Sequence, residues 1–133
     1  MIDNKTFGNL TAEFHTLGCK LNFAETSTIG KLLMEKGVRA ARADEKPDIC
    51  IINSCTVTES ANKKCRQEIR QIAKENPDAV IVVTGCYAQL KSDEVAAFVG
   101  VDLVLGNDQN GEIADFIERW YAEKQPVVKI TPL

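Results

Sequence analysis

The sequence predicts an α/β fold, a five-stranded parallel sheet flanked by helices in a three-layer sandwich. Two observations carry that prediction. Short apolar stretches alternate with helix-like stretches along the chain, and the two strongest, residues 48–53 and 79–84, are Ile/Val-rich with no polar alternation. Unbroken apolar runs of this length mark strands covered on both faces, as in a parallel sheet with helices on each side. A third observation sets the scale: 133 residues, 44% hydrophobic and 26% charged, suffice for one globular domain with its own core.

The elements follow in order. Residues 14–18 (Phe-His-Thr-Leu-Gly) form the first strand, ended by Gly18. Asn22 stands three residues before Glu25, a capping-box spacing, so the first helix begins there. Leu21, Thr28 and Leu32, with Ile29 and Leu33, recur at helical spacing, and Gly37 stops the helix. Residues 38–42 read as an edge strand and 44–47 as a turn. After the strand at 48–53 comes a helix over 58–74, whose buried stripe is Ala61, Cys65, Ile69 and Ile72.

Asn76, Pro77 and Asp78 break that helix before the strand at 79–84, which Gly85 and Cys86 close. Ser92 caps a short helix with Asp93 and Glu94 in its first turn, where the helix dipole favours acids. Residues 103–105 form a short strand, and Ile113, Phe116, Ile117 and Trp120 mark a last helix to residue 123. The domain therefore covers 1–124. Residues 125–133 read as a tail or linker, with 127–130 as a strand belonging to a neighbouring domain. Right-handed crossovers and five short strands favour the flavodoxin-like order 2-1-3-4-5.

Composition excludes several classes. The chain has no run of 18 apolar residues, so no membrane partner is expected. Residues 1–13 carry charges and lack a signal-peptide core, which points to the cytoplasm. Nineteen acids against 16 bases give a net charge of −3, with a pI near 5.2. An autonomous nucleic-acid binder would be basic, so any RNA contact should rest mainly outside these residues. Aromatic residues, at 6%, are too few for a base-stacking platform.

Five cysteines remain to be explained: Cys19, Cys50, Cys55, Cys65 and Cys86. The odd count and the missing signal peptide argue against a disulfide framework and leave core thiols, a metal site or redox chemistry. Cys19, Cys55 and Cys86 each follow a strand and precede a helix, one βα unit apart. That edge is where open α/β sheets bind ligands. With strands 1, 3 and 4 adjacent at about 4.8 Å, the three thiols converge within roughly 10 Å. Thiolates at helix N-termini suit an anionic iron–sulfur cluster or a zinc ion, although the pairing of knuckle cysteines usual for zinc is absent. Three ligands leave one metal corner open. Three unrelated core thiols remain the plainer reading of the spacing.

Cys50 lies five residues before Cys55 on an extended strand, about 16 Å away at about 3.3 Å per residue, and Cys65 falls on the buried helix stripe. Both read as core thiols.

The segments Thr16-Leu17-Gly18-Cys19-Lys20-Leu21-Asn22, Ile52-Asn53-Ser54-Cys55-Thr56-Val57-Thr58 and Val83-Thr84-Gly85-Cys86-Tyr87-Ala88-Gln89 together resemble the N-terminal domain of the radical SAM methylthiotransferases. The resemblance runs over about residues 12–122. Gly-Cys-Lys-Leu-Asn and Cys-Thr-Val-Thr-Glu-Ser-Ala-Asn-Lys-Lys look most like the branch acting on N6-threonylcarbamoyladenosine in tRNA. The isopentenyladenosine and ribosomal-protein branches are the alternatives.

The resemblance implies that Cys19, Cys55 and Cys86 ligate an auxiliary 4Fe-4S cluster, with Asn22, Asn53, Ala88 and Gln89 around it. It implies a methylthio group installed at C2 of the adenosine beside the anticodon, sulfur coming from that cluster. S-adenosylmethionine and a second 4Fe-4S cluster would belong to a radical SAM domain, and tRNA contact mainly to a C-terminal RNA-binding domain. This sequence lacks the Cys-x₃-Cys-x₂-Cys motif of the radical domain. The 133 residues are therefore expected to be inactive alone and to contain no catalytic residue of their own.

Other features are weighed against plain roles. Lys63, Arg66, Arg70 and Lys74 form a basic helix stripe that could meet tRNA phosphates or simply be solvated. His15 is a core histidine or a group near the site. Tyr87 shields the site or packs. Asp102 and Asp108 are loop and cap residues. The rival class is a flavodoxin-like binding or regulatory module without a cluster. Against it, the first βα turn lacks a phosphate-binding hydroxyl or glycine cluster, and the strand ends hold Cys where a phosphoacceptor needs acids. A thiol redox role lacks a Cys-x-x-Cys.

Overall fold

A computed structural model describes residues 10–17, 20–42, 44–54, 59–106, 112–123 and 127–129. The elements are β1 (Thr11–Thr16), α1 (Lys20–Glu35), β2 (Arg39–Ala40), β3 (Ile49–Ser54), α2 (Glu59–Glu75), β4 (Val80–Gly85), α3 (Cys86–Leu90), α4 (Ser92–Ala96), β5 (Leu103–Leu105), α5 (Ile113–Glu123) and β6 (Val127–Lys129). The sheet is parallel throughout and runs β2-β1-β3-β4-β5-β6. The expected order 2-1-3-4-5 is present. Residues 127–129, expected to pair elsewhere, instead continue this same sheet beside β5. The cause is local: β5 is short and would otherwise present an open edge of backbone N–H and C=O groups.

β3 and β4 are buried along their whole length, as their unbroken Ile/Val runs require. Alternate residues feed two cores. Ile49, Ile51, Val80 and Val82 pack with Ile29 and Leu33 of α1 and Ile113 and Ile117 of α5. Cys50, Ile52, Ile81 and Val83 pack with Cys65 and Ile69 of α2, Tyr87 of α3 and Val95 of α4. Cys50 and Cys65 are thus core thiols, and burial, then the charge of Glu13, pushes the Cys50 thiol up to about 12. Among the described residues no helix is long and apolar enough to cross a membrane.

Helix ends explain most boundary differences. α1 closes in a Schellman motif: Val38 N–H donates to Leu33 O at 3.1 Å and Gly37 N–H to Met34 O at 3.0 Å. Gly37 supplies the required left-handed residue at φ 95°. α1 begins at Lys20, however, so Asn22 lies in its first turn rather than at its cap, and Glu25 is too far along to complete a capping box. Ser92 is the first residue of α4 and makes no side-chain cap, while Asp93 and Glu94 do occupy the first turn. β1 starts at Thr11, three residues earlier than expected, because its amino end is tied to Asp48.

The connection from β2 to β3 has no helix among its described residues. A charged fork braces it instead: Arg39 Nη1 and Nη2 meet Glu45 Oε1 and Oε2 at 2.7 and 2.6 Å, and Arg42 N–H donates to Glu45 at 2.9 Å. These donors hold the Glu45 carboxyl down at about 2.

Candidate functional site

The carboxyl ends of β1, β3 and β4 finish level. Thr16 pairs with Asn53, Asn53 with Thr84, and Ser54 with Gly85. Leu17 N–H extends the ladder by donating to Asn53 O at 2.9 Å. The strand ends that precede the three cysteines in sequence therefore lie side by side on three adjacent strands. Cys19 and Cys55 lie outside the described residues, as do Asp108 and the side chain of Asn22. Cys86 is described: it is exposed and is the first residue of α3.

Gly85 fixes how Cys86 leaves the sheet. Its φ of 96° turns β4 directly into α3. A Cβ there would stand 2.3 Å from Ser54 O, 2.6 Å from Ser54 N and 2.5 Å from Asn53 Oδ1. Two of these neighbours are backbone, so only glycine fits, on grounds of both conformation and space.

Ser54 ties the same corner together. Its hydroxyl donates to Thr84 O at 2.6 Å and accepts from Ala88 N–H at 3.2 Å. Gly85 is the N-cap of α3 and has no side chain, so Ser54 on the next strand satisfies the third helical N–H in its place. Asn53, fully buried, donates from Nδ2 to Thr26 Oγ1 at 3.2 Å, and Thr26 bonds Thr16 at 2.8 Å. This chain of neutral side chains joins α1, β1 and β3 under the edge.

Asn53 and Ala88 of the expected surround thus take part in holding the corner, and Gln89 lies half-buried on α3, three residues after Cys86. Ser54 and Thr26 were missed by the sequence reading. Ser54 had only its place before Cys55 as a signal, because its partners arrive through strand pairing. Tyr87 is buried in the α2-side core and serves packing; burial first, then Glu94, pushes its phenol up to about 12. His15 is neither buried core nor at the strand end: it lies on β1 opposite Ile52, with its side chain 28% exposed. Half of the basic stripe is engaged within the fold, Arg66 with Glu94 at 3.6 Å and Arg70 stacked 4.8 Å over Phe98.

The described corner fits an anionic, thiolate-held cluster on its donor chemistry. It offers an exposed thiol, the strand ends Thr16, Asn53, Ser54, Thr84 and Gly85 carry no charge, and the backbone approaches closely at Gly85.

Comparison with known proteins adds an independent line. Residues 11–106 match the family described as "Uncharacterized protein family UPF0004". The chain is 44% identical over 117 residues to the threonylcarbamoyladenosine tRNA methylthiotransferase MtaB of Bacillus subtilis, covering 88% of this chain and 26% of that protein. It is 35% identical over 117 residues to the MtaB of Aquifex aeolicus, covering 88% and 28%. It is 35% identical over 122 residues to the tRNA-2-methylthio-N(6)-dimethylallyladenosine synthase of Corynebacterium diphtheriae, covering 89% and 24%. The chain spans about a quarter of the length of these relatives.

Proposed function

This chain belongs to the UPF0004 family, and from that premise we propose that it is the auxiliary-cluster domain of a tRNA methylthiotransferase. The substrate would be N6-threonylcarbamoyladenosine beside the anticodon, in line with the threonylcarbamoyladenosine named for the Bacillus subtilis and Aquifex aeolicus relatives. The observation that carries the reading is the level finish of β1, β3 and β4, each followed by one cysteine. Cys19, Cys55 and Cys86 would hold a 4Fe-4S cluster. A cluster held by these three thiolates would supply the sulfur for methylthiolation.

The chain's own residues do the holding. Gly85 and Ser54 fix the direction in which Cys86 leaves β4. Asn53 and Thr26 tie β3 to α1 at the carboxyl edge. The uncharged strand ends avoid repelling an anionic cluster. Hydrogen abstraction with S-adenosylmethionine and most of the tRNA contact would lie in radical SAM and RNA-binding domains joined to this one, in the cytoplasm. Exposed Lys63 and Lys74 are free to add a minor phosphate contact, since their neighbours Arg66 and Arg70 are engaged.

The test is a chimera in which residues 10–129 replace the matching segment of the Bacillus subtilis relative. Mass spectrometry of tRNA nucleosides from a strain lacking that enzyme should show the 2-methylthio base restored, and lost again with Cys86→Ala. A folded chimera that restores nothing, or that still works without Cys86, would contradict the reading.

A further inference from the structure

The sheet face covered by α2, α3 and α4 is left half open at β1, because no helix spans the β2–β3 connection among the described residues. Glu13 and His15 occupy that opening. They stand two apart on β1 and so share a face, and Glu13 pairs directly with Cys50 of β3 in the parallel register. One ligand atom from each, a Glu13 carboxylate oxygen, a His15 ring nitrogen and Cys50 Sγ, lies within 4.8 Å of the other two. Glu13 Oε1 touches His15 Nε2, which is itself shut from solvent, and Cys50 is fully buried beneath them.

We propose that Glu13, His15 and Cys50 form a second metal site, taking one divalent ion of the zinc class. The donor set is the mixed sulfur, imidazole and carboxylate set that such ions prefer. Metal–donor bonds of about 2.0–2.3 Å in a tetrahedron put donors roughly 3.3–3.8 Å apart, so the three groups close on an ion with shifts of about an ångström. Three protein ligands leave a fourth position on the uncovered side, for water or a small ligand. On binding, the Cys50 Sγ–H bond breaks, the sulfur electron pair goes to the metal and the proton to the buffer, with no change of oxidation state. The site is set back from the carboxyl edge, since the four residues Ile51–Ser54 of β3 follow Cys50 before the strand ends. It stands whether or not the cluster reading holds.

The test removes the competing thiols. The chain with Cys19, Cys55 and Cys86 changed to Ser is titrated with Co²⁺ and then Zn²⁺, its folding checked by circular dichroism. One Co²⁺ per chain, with a thiolate-to-cobalt charge-transfer band that Zn²⁺ abolishes, is the expected result. His15→Gln should weaken binding by about a hundredfold and Glu13→Gln by at least about tenfold, both at part-exposed positions that leave the core intact. Should the triple variant not fold, the unmodified chain is titrated, and the effect of His15→Gln on the cobalt band and its stoichiometry decides. Absence of the band from folded protein, or a band indifferent to both substitutions, overturns the proposal.

Discussion

The two ends of the sheet are built from opposite chemistry. At the amino end, strands are clasped by carboxylates. Asp48 Oδ2 accepts from Thr11 N–H at 2.9 Å while its own N–H donates to Thr11 O at 3.0 Å. Asp102 repeats the device two strands away, accepting from Ile81 N–H at 2.9 Å and donating to Ile81 O at 3.0 Å. Both charges reach Tyr121, whose phenol is pushed up to about 12 by burial first and then by Asp48 and Asp102. At the carboxyl end of β1, β3 and β4 the same task falls to Ser54, Asn53, Thr16 and Thr26, all neutral. Both ends satisfy orphan backbone groups, as buried edges must. Among the described residues, the carboxyl end does so without negative charge, as an anionic cluster and its thiolates would require.

Substitutions can break or sharpen this contrast, and the largest effect is expected at Gly85. A Cβ there meets backbone at 2.3 Å with φ at 96°, so Gly85→Ala should cost about 2–4 kcal/mol in urea unfolding. A cost within about 0.5 kcal/mol would mean that the corner is looser than described. Ser54→Ala comes next. It strands a buried N–H of α3 and loses the bond to Thr84 O, so about 1–3 kcal/mol should be lost.

At the amino end, Asp102 separates charge from hydrogen bonding. Burial raises its pKa despite the bond from Ile81 N–H. A carboxyl raised in the folded state contributes stability below its ordinary value near 3.8, and that contribution is lost as pH rises through the folded value. Asp102→Asn keeps an acceptor for Ile81 and removes the charge, so it should gain on the unmodified protein between pH 4 and pH 7. Asp102→Ala should instead cost about 1 kcal/mol or more at neutral pH, by leaving Ile81 N–H unmet. Equal behaviour of the two variants would show that the clasp is not acting through its hydrogen bond.

Thiol labelling gives a further contrast. Exposed Cys86 should alkylate readily at pH 8 in the native protein, whereas Cys50, buried and raised to about 12, should react at least about a thousandfold more slowly. Comparable rates would mean that Cys50 is not sealed in the core. The smallest effect belongs to the exposed Arg39–Glu45 fork. Glu45 is held near 2, so its contribution is present above the ordinary carboxylate value near 4.5 and lost as pH falls toward 2. Glu45→Gln should remove that acid dependence while changing neutral stability little.

The sequence made some of this visible and hid the rest for physical reasons. β3, β4 and α5 were legible because Ile51, Val82 and Ile117 sit in runs whose period alone states their surroundings. β5 was recovered to the residue. The start of α1, the missing cap at Ser92 and the helix α3 were not legible, since each depends on tertiary partners that override local capping signals. β6 was legible as a strand but not in its placement, because only pairing with β5 shows which sheet it joins. Of the three Gly/Ser–Cys corners that the sequence offers, the one at Gly85 and Cys86 lies within the described residues, where β4 turns into α3. The hydroxyl that holds α3 was not legible, because Ser54 and Ala88 lie 34 residues apart and meet only through β3–β4 pairing.

The most direct test of the central claim is anaerobic reconstitution of the chain with iron and sulfide, followed by counting both. About four irons and four sulfides per chain are expected, lost in each of Cys19→Ala, Cys55→Ala and Cys86→Ala and kept in Cys65→Ala. Iron that fails to bind the folded chain, or that binds regardless of which cysteine is removed, would contradict a cluster held at the carboxyl edge of this sheet.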